Sequence, residues 1–190
     1  MTRLRSTGGF WLLLGVLLLA LSARTLLWFA LACLIHELGH SLAIRMLGGR
    51  VDRVELTGVG AVLHPRRQRM LTYREECIVA LGGPLASLFL AVLAAAWGQR
   101  TGSGDAYLLA GLSLALAVFN LAPAAPLDGG RVLRAVLSFR LGPDRGDWIC
   151  RGLTASFGVG LAAVGLWVLA HGGNFTLLLC AIWLLARRSA

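Results

Sequence analysis

Leu34-Ile35-His36-Glu37-Leu38-Gly39-His40 sits inside an otherwise apolar run from Thr25 to Ile44. The run is long enough to cross a bilayer as a helix, for which about 20 residues are needed. On a helix His36 and His40 stand one turn apart on one face. Two imidazoles can then converge on a single Zn2+ while Glu37 reaches a water held beside it. Paired intrahelical histidines can also be satisfied core residues. Ionisable side chains within a membrane segment are expensive, however, and a functional role is the default reading of them there.

Composition agrees with that setting. The chain has 190 residues and is 57% hydrophobic; its mean hydropathy of +0.75 is too apolar for a soluble fold of this length. The net charge of +9 comes from eighteen arginines and no lysine. Most of them flank apolar runs, the placement of membrane-flanking charge rather than of a nucleic-acid surface, so the lipid bilayer and not nucleic acid is the expected environment. Cys33, Cys77, Cys150 and Cys180 are scattered singly, with no C-x-x-C pair. They imply neither a disulfide framework nor a thiolate zinc site.

Uncharged stretches predict six spans: 6–23, 25–44 interrupted only by the motif, 77–99, 106–127, 152–170 and 172–186. Six crossings place sixteen arginines on one side of the membrane and only Arg24 and Arg100 on the other. By the positive-inside rule both termini are then cytoplasmic. The N-terminus has a competing reading as a secretory signal peptide, with Arg3 and Arg5 before an apolar run that ends in Ala20-Leu21-Ser22. An uncleaved first span is preferred because it completes the six-helix parity.

Between spans two and three, Gly48-Gly49 supplies a helix stop. Val51 to Leu56 and Val59 to Leu63, separated by Thr57-Gly58, then read as a short β-hairpin. Thr72-Tyr73-Arg74-Glu75 is a capping box that opens the third helix, which gives Glu75 a structural role. Gly83 and Ser87 form a small-x-x-x-small pair suited to close helix packing, and Pro84 is a candidate kink.

Span four ends in Asn120-Leu121-Ala122-Pro123-Ala124-Ala125-Pro126-Leu127-Asp128-Gly129-Gly130-Arg131. Two prolines break the helix, and the glycines after Asp128 permit a sharp turn. Irregular backbone at membrane depth is tolerated only where protein or a water-filled cavity satisfies it. Spans two and four run in the same direction, so Asp128 at the inner end of span four lies at a depth similar to that of the histidines. A catalytic zinc site uses three protein ligands and one open position, and a carboxylate suits the third. The alternative is a helix-terminal Asp that turns the chain toward Arg131.

With both motifs in hand, the chain resembles the site-2 protease family of intramembrane zinc metalloproteases. It is most similar to the bacterial sporulation branch that processes a membrane-associated pro-sigma factor. The residues that carry the resemblance are His36 to His40 and Asn120 through Arg131, which fit an N-x-x-P-x-x-P-L-D-G pattern; Ser87 stands where a G-P-x-x-N element has Asn. The resemblance implies a three-helix catalytic core over about residues 25–131 and one zinc held by His36, His40 and Asp128. It also implies Glu37 as catalytic base and Asn120 beside the substrate. Relatives in this branch carry a nucleotide-sensing CBS domain or a PDZ domain; a single integral membrane domain over residues 1–190, with neither, is expected.

The expected fold is thus an all-α polytopic membrane protein of six helices with one short hairpin, its active site toward the cytoplasmic side. The expected activity is hydrolysis of a peptide bond in or near a transmembrane segment of a membrane-associated regulatory protein, such as a pro-sigma or anti-sigma factor. A membrane inhibitor or regulator would be a further partner. The rival reading is a metal-binding membrane transporter or a proteolytically inactive homologue, which predicts metal flux and no need for Glu37.

Overall fold

The structure is a computed structural model. It describes residues 22–49, 71–125, 127–173 and 175–187, together with the backbone of three strands. In chain order these are β1 (Arg3–Ser6), α1 (Ala23–Met46), β2 (Val51–Thr57), β3 (Gly60–Pro65), α2 (Tyr73–Thr101), α3 (Gly104–Asn120), α4 (Asp128–Leu141), α5 (Pro143–Ala170) and α6 (Thr176–Arg187). The elements form two compact units. One holds the strands, α1, α2 from Leu81 onward and α3 as far as Phe119; the other holds Thr72–Ala80 and the chain from Asn120 onward.

In the first unit α1 begins at Ser22, whose hydroxyl accepts the Thr25 N–H at 3.2 Å. Asp105, in the first turn of α3, is paired with Arg24 and accepts the Trp28 indole N–H at 2.7 Å, which ties the starts of α1 and α3 together. Below that clasp, Ala32, Ala94, Leu109 and Ala110 form a buried cluster with Trp28, Leu31 and Leu90 packed on it. The small residues let three helices come close. Closest of all is the crossing of α1 and α2 at Gly39 and Gly82: a Cβ on Gly39 would lie 2.3 Å from the Gly82 carbonyl oxygen, and one on Gly82 would lie 2.7 Å from the Gly39 oxygen. α2 runs on through Pro84 without a break.

The loop between α1 and α2 carries β2 and β3, which form one sheet with β1. The strand order is β1-β2-β3, with β2 and β3 antiparallel in the register Val54 opposite Leu63 and Thr57 opposite Gly60. β1 is parallel to β2, an addition that the sequence pattern does not reveal.

In the second unit the capping box forms as its residues dictate. The Thr72 N–H donates to Glu75 Oε2 at 2.9 Å and the Glu75 N–H donates to the Thr72 hydroxyl at 3.4 Å. Arg134 of α4 makes a two-point pair with Asp147 of α5, at 2.6 and 3.2 Å. The bend between these helices is Gly142, at φ +85°, with Pro143 starting α5. Gly158 and Gly165 of α5 leave room for Leu185 and for the Leu178 backbone of α6. Ala124, Leu127 and Leu184 form the buried centre, flanked by Phe157 and Trp183.

The count of six crossings needs correction. Among the described residues three helices, α1, α2 and α5, are long and apolar enough to cross a membrane, while α3 and α6 are shorter apolar helices. At about 1.5 Å per residue, α3 with 17 residues and α6 with 12 fall short of a hydrocarbon core of about 30 Å. The expected first span lies outside the described residues. The fifth starts nine residues earlier than expected, because charged turns containing Arg145 and Asp147 continue as helix ahead of the apolar run.

The Gly39–Gly82 crossing generates a test. Gly82→Ala sets a methyl against the Gly39 carbonyl and the Ala43 side chain, and overpacking of this kind costs about 1–3 kcal/mol. Thermal unfolding in detergent should show a lowered midpoint for Gly82→Ala and an unchanged one for Gly111→Ala, whose added Cβ meets nothing within 4 Å.

Candidate metal centre

α1 places His36 and His40 on its buried face, one turn apart, and both side chains are removed from solvent. Their rings meet edge to face, with centroids 4.9 Å apart and planes at 81°. The two Nε2 atoms converge to 3.2 Å. Two nitrogens on one tetrahedral zinc, each at about 2.0–2.1 Å, stand roughly 3.3 Å apart, so the separation suits a shared metal.

α2 supplies the wall. Gly83 lies against the two rings so closely that a Cβ there would be 2.3 Å from His40 Nε2 and 2.7 Å from His36 Nε2. One turn on, the Ser87 hydroxyl, fully buried, lies 2.9 Å from His36 Nδ1. The sequence pattern assigns Gly83 and Ser87 to helix packing. They do pack, but against the imidazoles. Their spacing of four from each other, matching the spacing of the two histidines, is the signal that would have found this.

Glu37 follows His36 on α1 and is half-buried. It lies about 100° around the helix from His36, off the face that the two imidazoles share.

The second unit carries the other candidate residues. α3 stops at Asn120, which is half-buried. Asp128 is buried, with its Oδ1 3.5 Å from Arg131 Nη1. It does not end a long fourth span, as expected, but opens the separate helix α4. Pro123 lacks the N–H a helix needs, and the chain turns after Asn120 instead: the Ala124 N–H donates to the Ala122 carbonyl and the Leu127 N–H to the Ala124 carbonyl, both at 2.8 Å. The Thr154 hydroxyl holds this turn by accepting the Ala125 N–H at 2.9 Å. The carboxylate therefore sits in the first turn of a helix, where the helix dipole favours negative charge.

Gly129 and Gly130 also differ from expectation. Both are helical, and neither has a positive φ. They are small because the turn folds back on them: a Cβ on Gly129 would lie 2.1 Å from the Leu121 oxygen, and one on Gly130 2.0 Å from the Ala124 oxygen.

Residues 103–151, which include Asn120 and Asp128, match Peptidase family M50. The whole arrangement has a counterpart of known structure: the site-2 protease from Methanocaldococcus jannaschii matches with a TM-score of 0.74 and 26% identity, over 98% of this chain and 88% of that one. The chain is thus similar to peptidase family M50 and has the fold of a site-2 protease. Among curated proteins it is similar to a zinc metalloprotease of M. jannaschii, 29% identical over 162 residues that cover 83% of this chain and 44% of that protein. It is also similar to stage IV sporulation protein FB of Bacillus subtilis, 31% identical over 135 residues, 69% of this chain and 46% of that one. The chain spans less than half the length of the curated relatives it matches. Its long apolar helices are those of a multi-pass membrane protein. Zinc fits the donors of the first unit, where two imidazole nitrogens converge beside a glycine cradle that a side chain would fill.

The cradle generates the second test. Gly83→Ala drives a methyl into the space between the two Nε2 atoms, so the purified protein should lose its zinc, measured as metal per chain. Gly111→Ala should retain it.

Proposed function

We propose that this protein is a zinc endopeptidase that hydrolyses a peptide bond in or near a transmembrane segment of a membrane-associated protein. The observation that carries the reading is the convergence of two buried imidazole nitrogens to 3.2 Å within an apolar helix of a site-2 protease fold. Asp128 is the third ligand in this reading. A catalytic zinc site uses three protein ligands, and the burial of the Asp128 carboxylate supports that assignment.

When bound, zinc would supply Lewis-acid chemistry, polarising a carbonyl and lowering the pKa of a water toward neutrality. Glu37 takes the proton of the attacking water and passes it to the departing amine. Asn120 donates its carboxamide N–H to the substrate carbonyl oxygen, where negative charge develops. The catalytic core comprises about residues 25–131. A helical substrate has its carbonyls already hydrogen-bonded and unwinds before attack; β3, at one edge of the sheet, offers backbone groups to hold the extended form.

The arginine distribution supports cytoplasmic termini and an active site toward the cytoplasm. The resemblance of the two motifs to the sporulation branch supports a regulatory substrate of the pro-sigma or anti-sigma kind, and the similarity to a stage IV sporulation protein agrees with that branch.

Co-expression with candidate membrane-associated regulators, with fragments identified by mass spectrometry, tests the reading. Glu37→Gln should lower cleavage by about 10²–10⁴-fold while the protein keeps one zinc per chain; Asp128→Ala should lose both cleavage and zinc. Undiminished cleavage by Glu37→Gln would remove the catalytic assignment. Metal flux into liposomes that does not need Glu37 would favour a transporter.

A further inference from the structure

Ser87 is the polar side chain of α2 aimed at a histidine of the pair. It has no exposed surface, and its hydroxyl lies 2.9 Å from His36 Nδ1. An imidazole has two nitrogens, and the partner of one fixes what the other can do. His36 Nε2 faces His40 Nε2. For Nε2 to offer a lone pair, the ring proton must be on Nδ1, and a proton on Nδ1 inside an apolar bundle needs an acceptor.

We propose that Ser87 is a positioning residue for the metal centre: its Oγ accepts the Nδ1–H of His36, which fixes the tautomer and the ring orientation that present the Nε2 lone pair to a metal. The inference rests on the metal-centre reading above and adds a residue to it from outside the ligand set. Gly83 and Ser87 then divide the work of one face of α2. Gly83 makes room for the two rings, and Ser87 holds one of them by its far nitrogen. Hydrogen-bonded partners of this kind typically contribute about 10–100-fold in metal affinity.

Thr and Val test the hydroxyl at matched volume. The full chain in detergent micelles, as wild type, Ser87→Ala, Ser87→Thr, Ser87→Val and His36→Ala, is stripped of metal and titrated with Zn2+ against a chromophoric chelator, then with Co2+ to read its d–d absorption. The expected result is a loss of zinc affinity of about 10–100-fold in Ser87→Ala and Ser87→Val, an altered Co2+ spectrum in both, and values near wild type in Ser87→Thr. Wild-type affinity with an unchanged spectrum in Ser87→Ala overturns the proposal, as does an equal loss in Ser87→Thr and Ser87→Val, which would assign the effect to volume. If wild type binds one metal that His36→Ala abolishes while Ser87→Ala is unaffected, only the positioning role fails. If wild type and His36→Ala bind alike, the metal-centre reading fails and the proposal fails with it.

Discussion

Two helix backbones can cross this closely only where neither carries a side chain, and α1 and α2 do so at Gly39 and Gly82. Lipid tails are as apolar as leucine, so burial gives membrane helices little reason to associate, and close backbone packing takes over that role. The crossing has a second effect on the same face. It brings Gly83 against both imidazoles and puts Ser87 within hydrogen-bond reach of His36. Three glycines and a serine convert a helix contact into one side of a metal centre.

The parts of the fold that were legible in the sequence are the ones set by local spacing. His36 and His40 share a face because a helix repeats every 3.6 residues, and Thr72 with Glu75 closes a cap across three residues. Both follow from the residues between them, without reference to the rest of the chain. Asp128 stands out in the sequence as a candidate too, since few acids stand beside apolar runs. Its placement was not legible. A search for uncharged stretches passes over α4, which carries Arg131, Arg134 and Arg140, and so joins Asp128 to the wrong helix.

Glycine shows the same limit. Gly129 and Gly130 read as turn formers because glycine permits unusual dihedrals, yet their backbone is ordinary helix and the reason for them is the Leu121 and Ala124 carbonyls lying against them. Gly142 and Gly172 do use positive φ. Composition cannot separate these cases, because the first depends on which distant segment returns and the second only on the residue's own bond rotations. Span counting failed for a related reason: an apolar run records what can enter lipid, whereas helix length is set by where the backbone turns.

The separation between the histidines and their wall has a consequence during synthesis. His40 meets Gly83 across 43 residues of chain and His36 meets Ser87 across 51. At about 5–20 residues per second, α1 is made roughly 2–10 s before the segment that shields it. For that interval two imidazoles and a carboxylate lie in a helix with no α2 to cover them. A newly made α1 therefore has reason to linger in the polar environment of the insertion machinery and to enter the lipid together with α2 rather than alone.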